Sequence, residues 1–132
     1  MRYLLDTNII SDLVKNPSGK TAQHLRQHTT SMICTSLIVA GELQYGLIKK
    51  SSVQLRHRIN AILEEIVILP LPINCAENYG RIRADLERKG LPIGVNDLWI
   101  AAHAVSSNAI LVTDNLREFI RIDDLNVENW LE

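Results

Sequence analysis

Four short apolar runs constrain this chain more than any other feature: Tyr3 to Leu5, Met32 to Cys34, Ile66 to Leu69 and Ile110 to Val112. None alternates apolar with polar residues. A strand with one wet face alternates, so a run without alternation reads as a strand covered on both faces, the usual state of a parallel sheet. The segments between them have helical spacing. Asn8 to Lys15 reads as a short helix, separated from a second at Lys20 to His28 by the turn Asn16-Pro17-Ser18-Gly19. Leu37 to Lys50 and Val53 to Glu65 read as a helix pair, and Cys75 to Lys89 as an amphipathic helix closed by Gly90. Leu98 to Ser106 continues the series, then a short turn of helix at Leu116 to Phe119 and a last extended piece near Val127. This order predicts an α/β domain, a central, mainly parallel sheet flanked by helices and joined by right-handed crossovers. With 132 residues, 46% of them hydrophobic, the expectation is one domain over residues 1–132.

Charge and cysteine content narrow the function classes. The formal net charge of −1 excludes a strongly basic or acidic chain. Cys34 and Cys75 form no CxxC and lie in apolar surroundings, so they read as reduced core thiols. No apolar run reaches the ~18 residues of a membrane span, and the start of the chain has no signal-type pattern. The expected location is cytoplasmic, away from membranes.

Acidic residues stand in unusual places. Asp6 ends the first apolar run, where ligands bind in such sheets, although an acid there also caps the following helix. Glu42 follows the apolar or small run Leu37 to Gly41 on a segment suited to burial; its ordinary role would be a snorkelling or salt-bridged glutamate. Asp97 opens "DLWIAAHA" after the turn-like "KGLPIGVN" and, taken alone, reads first as a helix N-cap. Thr113, Asp114, Asn115 and Glu118 lie just past the fourth run. Alternation turns Thr113 and Asn115 to one side and Asp114 to the other, and one helical turn returns Glu118 to the side of Asn115.

Singly, each acid has a structural explanation; together, Asp6, Glu42, Asp97 and Glu118 are expected on one rim of the sheet. Carboxylates a few ångströms apart repel by ~1 kcal/mol per pair in water and by more where water is scarce. Such a cluster calls for a cation, and all-oxygen ligands select a hard one, Mg²⁺ or Mn²⁺. Phosphodiester hydrolysis by metal-activated water is the leading use of such a site. No serine sits in GxSxG and neither cysteine has an evident histidine partner. Setting aside those four acids leaves eleven acidic against fourteen basic side chains, a balance suited to a polyanionic substrate.

Other motifs carry less. His24 and His28 have zinc-pair spacing without a third ligand and read as a surface helix face. His103 is a poor partner for Asp97, being about a third of a turn off its face. Arg56 to Arg58 reads as a solvated face, and "RIRADLERKG" as a modest basic cluster open to either reading.

The segments "LLDTNII", "AGELQYG", "PIGVNDLWIAAHA" and "LVTDNLREFIRI", in that order and closing on "NVENWLE", resemble the PIN-domain ribonuclease toxins of bacterial toxin-antitoxin pairs, the VapC type. The resemblance spans essentially the whole chain. It implies a Mg²⁺- or Mn²⁺-dependent endoribonuclease, with Asp6, Glu42 and Asp97 on the family's acidic positions. Many PIN domains carry an aspartate where Asn115 stands, whereas the branch most like this chain has an acid at the place of Glu118. The fourth role is therefore given to Glu118, with Asn115 as a polar neighbour and Asp114 peripheral. The expected arrangement has Asp6 and Asp97 holding Mg²⁺, Glu42 and Glu118 completing the shell, and Thr7 or Thr113 orienting a carboxylate or phosphate. The resemblance also implies a homodimer and a cognate antitoxin that inhibits the toxin and itself carries the DNA-binding domain. The implied substrate is RNA, a tRNA in particular, with the anticodon loop of initiator tRNA as the named candidate.

Two rivals stand beside this reading. A phosphotransferase with Asp6 as nucleophile wants a second acid two residues on, where this chain has Asn8. A non-catalytic binding or assembly module would keep the acids for capping and contacts.

Overall fold

A computed structural model describes every residue from Met1 to Glu132. Its elements run β1 (Arg2–Leu5), α1 (Thr7–Lys15), α2 (Lys20–Gln27), β2 (Met32–Ser36), α3 (Leu37–Lys50), α4 (Val53–Glu65), β3 (Val67–Leu69), α5 (Cys75–Arg88), α6 (Val95–Ser106), β4 (Ile110–Val112), α7 (Leu116–Phe119) and β5 (Val127–Glu128). The five strands form one sheet in the order β3-β2-β1-β4-β5, and every pairing is parallel. The α/β class and the parallel sheet expected from the apolar runs are those observed.

The strand order locates the site. The chain leaves β1 toward β2 and β3, then returns to the other side of β1 as β4. The crevice beyond the C-terminal ends of β1 and β4 is therefore the switch point at which open α/β sheets bind ligands. Asp6 and Thr113 are the first residues past those ends, and the Asp6 N–H donates to the Val112 carbonyl at 2.9 Å, carrying the ladder one step further.

Burial follows position in the sheet. Leu4, Leu5, Leu111 and Val112 are wholly buried in the middle strands and join Ile9 and Ile10 of α1, Phe119 and Trp130 in one apolar core. The expectation of strands covered on both faces fails at β3, where Val67 and Ile68 are 47% and 39% exposed. As an edge strand, β3 pairs only with β2 and lies at the limit of the helical layers.

Helix boundaries match local chemistry. Ser36 and Ser52 cap α3 and α4 by accepting the Ile38 and Leu55 N–H groups. Gly90 ends α5 in the left-handed region at φ +69°, with its own N–H and that of Leu91 closing on the Glu87 and Leu86 carbonyls. Only glycine takes that conformation without steric cost, which is why the amphipathic pattern stops there. The main boundary correction is α6, which starts at Val95 rather than Leu98, with Gly94 as its N-cap. Asp97 is thus inside the first helical turn and is not the cap.

Candidate active site

Asp6 is 6% exposed and held by two donors: the Thr7 N–H at 2.8 Å on one oxygen and the Thr113 hydroxyl at 2.8 Å on the other. It caps α1, as the bland reading held, and the second bond joins it to β4. Thr113 is itself fully buried, and its hydroxyl receives the Asn115 N–H at 3.0 Å. Glu42, half-buried on α3, accepts the Thr7 hydroxyl at 2.7 Å and the Asn96 side-chain amide at 3.4 Å. No snorkelling or salt-bridged Glu42 is seen. Asn115 donates its side-chain N–H to Glu118 at 3.1 Å, so the single turn of α7 brings these two together as the spacing predicted. Asp114 points elsewhere, exposed and receiving the Asn8 amide at 3.0 Å.

Electrostatics join the acids more firmly than hydrogen bonds do. Burial, first of all, pushes the Asp97 carboxyl up to about 7, and the negative charges of Asp6, Glu118 and Glu42 push the same way, with a hydrogen bond to Glu118. Burial likewise raises Asp6, opposed by the bonds from Thr113 and Thr7 and reinforced by Glu42 and Asp114. All five ion pairs of the chain lie elsewhere, and none involves Asp6, Glu42, Asp97 or Glu118. The rim is therefore a pocket of unpaired negative charge, the condition that a hard cation relieves.

The spacing sets a limit on how such an ion is held. No three acidic, histidine or cysteine side chains converge closely enough to ligate one ion by themselves. Thr7 and Asn96 engage Glu42, and Asn115 engages Glu118, which holds both carboxylates beside the Asp6–Asp97 pair. Mg²⁺ is commonly bound by one or two carboxylates with several waters retained, and this all-oxygen donor set suits that mode.

Three other groups have partners that sequence reasoning did not foresee. His24 and His28 do not form a plain solvated face: both rings stack on buried Trp130, at centroid distances of 5.4 and 5.1 Å, and Tyr3 packs on the same cluster. The basic stretch on α5 is largely neutralised, with Arg81 on Asp124, Arg83 on Glu87, Arg88 on Asp85, and Lys89 on both Asp85 and Asp123. His103 is fully buried and bonds Ser36 at 2.8 Å, a contact across the fold that has no local signal.

This combination of a parallel sheet, a switch-point crevice and an acidic rim defines a nuclease-like α/β fold. The profile of the PIN domain family matches residues 3–125. Along 98% of both chains the sequence is 42% identical to the "Ribonuclease VapC2" of Rickettsia felis, and at the same coverage 36% identical to the "tRNA(fMet)-specific endonuclease VapC" of Salmonella typhimurium. Among solved structures, the VapBC2 complex of Rickettsia felis bound to a promoter DNA fragment superposes with a TM-score of 0.93 at 40% identity, covering 98% of this chain and 99% of that one. The chain belongs to the PIN-domain family, within the group of VapC ribonucleases.

Proposed function

We propose that this VapC ribonuclease is a divalent-metal-dependent endonuclease acting on structured RNA, a tRNA in particular, and that Asp6, Glu42, Asp97 and Glu118 form its catalytic site. The observation that carries the reading is the gathering of Asp6, Glu42, Asp97 and Glu118 at the rim, tied by Thr7, Asn96, Thr113 and Asn115, with no basic side chain paired to any of the four acids. In this reading Asp6 and Asp97 would hold Mg²⁺, or Mn²⁺ in its place, with Glu42 and Glu118 completing the shell directly or through water. The ion would supply charge neutralisation at the scissile phosphate and acidify a water for in-line attack. Thr113 and the Thr7 backbone fix the rotamer of Asp6, the Thr7 hydroxyl does the same for Glu42, and Asn115 for Glu118. Support for a tRNA substrate comes from the Salmonella relative, whose name specifies tRNA(fMet); the anticodon loop is the single-stranded element such a site would accept.

The same reading makes the protein the toxin of a toxin-antitoxin pair, working in the cytoplasm as a homodimer. No helix is long and apolar enough to cross a membrane. Support for an inhibitory antitoxin comes from the VapBC complexes among the solved relatives and from a groove beside the acids. That groove runs between α1, α3 and α4 from Thr7 and Glu42 along Val14, Leu43 and Leu55, with Lys15 and Lys50 also in its lining, and its apolar stretch suits a peptide with apolar side chains. The exposed Tyr45 and Ile48 on α3 offer apolar surface for the second copy.

The test is incubation of purified, antitoxin-free protein with total bacterial tRNA, with Mg²⁺ or Mn²⁺ and with EDTA, beside Asp6→Ala. Discrete fragments that require both metal and Asp6 are expected, and their ends name the target. A folded protein that neither cuts RNA nor binds Mn²⁺ would favour the non-catalytic module.

A further inference from the structure

Two helices deliver Glu42 and Asp97, and they touch at two ties. The outer tie is the Asn96 amide donating to Glu42 at 3.4 Å on the exposed side. The inner tie is between His103 Nδ1 and Ser36 Oγ, at 2.8 Å, with both residues wholly buried. Ser36 is the N-cap of α3 and His103 lies late in α6, whereas Glu42 is further along α3 and Asn96 is at the start of α6. The two helices therefore run in opposite directions across the ties.

The spacing is the same on both. Glu42 is six residues beyond Ser36, and Asp97 six before His103, so each acid stands about 9 Å of helical rise from the inner tie. With the helices opposed, this puts the backbones of Glu42 and Asp97 at the same height above the inner tie. A slide of one helix by a single residue would separate them by ~1.5 Å.

The chemistry of the inner tie argues that His103 is there for this bond. Ser36 Oγ already accepts the Ile38 N–H at 3.1 Å, so in the arrangement that uses each group once its own proton goes to Nδ1 of a neutral imidazole. His103 Nε2 is then left buried without a partner. An apolar side chain would fill the space without that cost, and what it would lack is the bond to Ser36.

We propose that His103, acting through Ser36, is a positioning residue that sets the separation of Glu42 and Asp97. The proposal rests on the ribonuclease reading for what that separation serves. Groups behind a metal site that orient its ligands alter affinity or activity by about 10- to 100-fold when removed.

The experiment compares Ser36→Ala, His103→Phe and His103→Asn with wild type. Asn places an amide near the position of Nδ1, so it can restore the tie. The readouts are Mn²⁺ affinity, kcat and KM on the cleaved RNA, and the backbone amide NMR signals of Glu42 and Asp97 in metal-free protein. Thermal unfolding controls for the lost cap. Expected is a drop of about 10-fold in kcat and in Mn²⁺ affinity for Ser36→Ala and His103→Phe, with KM unchanged, displaced Glu42 and Asp97 signals, and partial return of all three in His103→Asn. Folded Ser36→Ala and His103→Phe proteins with wild-type kcat, Mn²⁺ affinity and unmoved signals would overturn the proposal. Displaced signals that return in His103→Asn, in a protein that cuts no RNA even as wild type, would uphold the positioning role and remove the ribonuclease reading instead.

Discussion

The rim at the ends of β1 and β4 and the outer face of α5 are both rich in charge, and they use it in opposite ways. On α5, Asp85 lies among Lys89 and Arg88, and the hydrogen bond from Lys89, first among its influences, pulls its carboxyl below the ordinary range. On the rim, Asp97 lies among Asp6, Glu118 and Glu42, and burial followed by their charges raises it to about 7. Composition treats these residues alike. What separates a solvated surface from a chemical site is whether opposite charge is already present within the fold, because only an unpaired acidic group has reason to take up an external cation.

The sharpest way to break this contrast is to remove one rim acid. Asp97→Asn is expected to reduce RNA cleavage by more than about 100-fold, beyond what outer partners of a metal site contribute, while circular dichroism stays that of wild type. Cleavage at near wild-type rate would end the assignment of Asp97. A smaller effect separates the neighbours after β4: Glu118→Gln should weaken Mn²⁺ binding by about 10-fold, and Asp114→Asn, whose carboxylate bonds Asn8 and reaches Asp6 only through its charge, should weaken it much less. Equal losses from both would mean that Asp114 belongs to the site.

The contrast also has a sign in pH. Below the ordinary aspartate value of 3.8 the folded and unfolded chains both hold the Asp97 proton, and above about 7 both have lost it. Between the two, the folded chain binds more protons, so metal-free stability decreases as pH rises through that window and levels off above it. Asp6, raised in the same direction, adds to the slope. Denaturant titrations from pH 4 to pH 8 should show this decline, weaker in Asp97→Asn, and Mg²⁺ should offset it more at pH 8 than at pH 5. Burial lowers the His103 imidazole below its ordinary 6.5 and so adds a slope of opposite sign, which makes the difference between wild type and Asp97→Asn the test: identical metal-free profiles would show that Asp97 is not raised. The smallest effect is on α5. Asp85→Asn should leave cleavage unchanged and shift the unfolding midpoint little, since exposed ion pairs contribute little to stability.

Much of the fold was legible because it depends on local periodicity. The apolar runs became β1, β2, β3 and β4, and α3 and α4 took the bounds that helical spacing predicted, with Ser36 and Ser52 found as their caps. Legibility failed where the deciding contact is remote. Nothing within "KGLPIGVND" announces that Val95 and Asn96, a β-branched residue and a poor helix former, already belong to α6; both are exposed in its first turn, which opens where the Gly94 carbonyl accepts the Leu98 N–H. The exposure of Val67 and Ile68 depends on β3 being an edge, which composition does not encode.

The candidate site divides along the same line. Asp6, Glu42, Asp97 and Glu118 were noticeable from sequence because each is an acid in an apolar or strand-end setting. Their partners were less so. Thr113 reaches Asp6 across 107 positions, His103 reaches Ser36 across 67, and Trp130 is stacked by His24 and His28 from more than a hundred residues away. The sequence by itself determined which segments become strands and helices, and hence that a parallel sheet would carry acids at its C-terminal rim, since these follow from short-range periodicity and capping chemistry. Only the tertiary structure decided which charges are neutralised and which are not, because pairing depends on distances between residues that the chain brings together only when it folds.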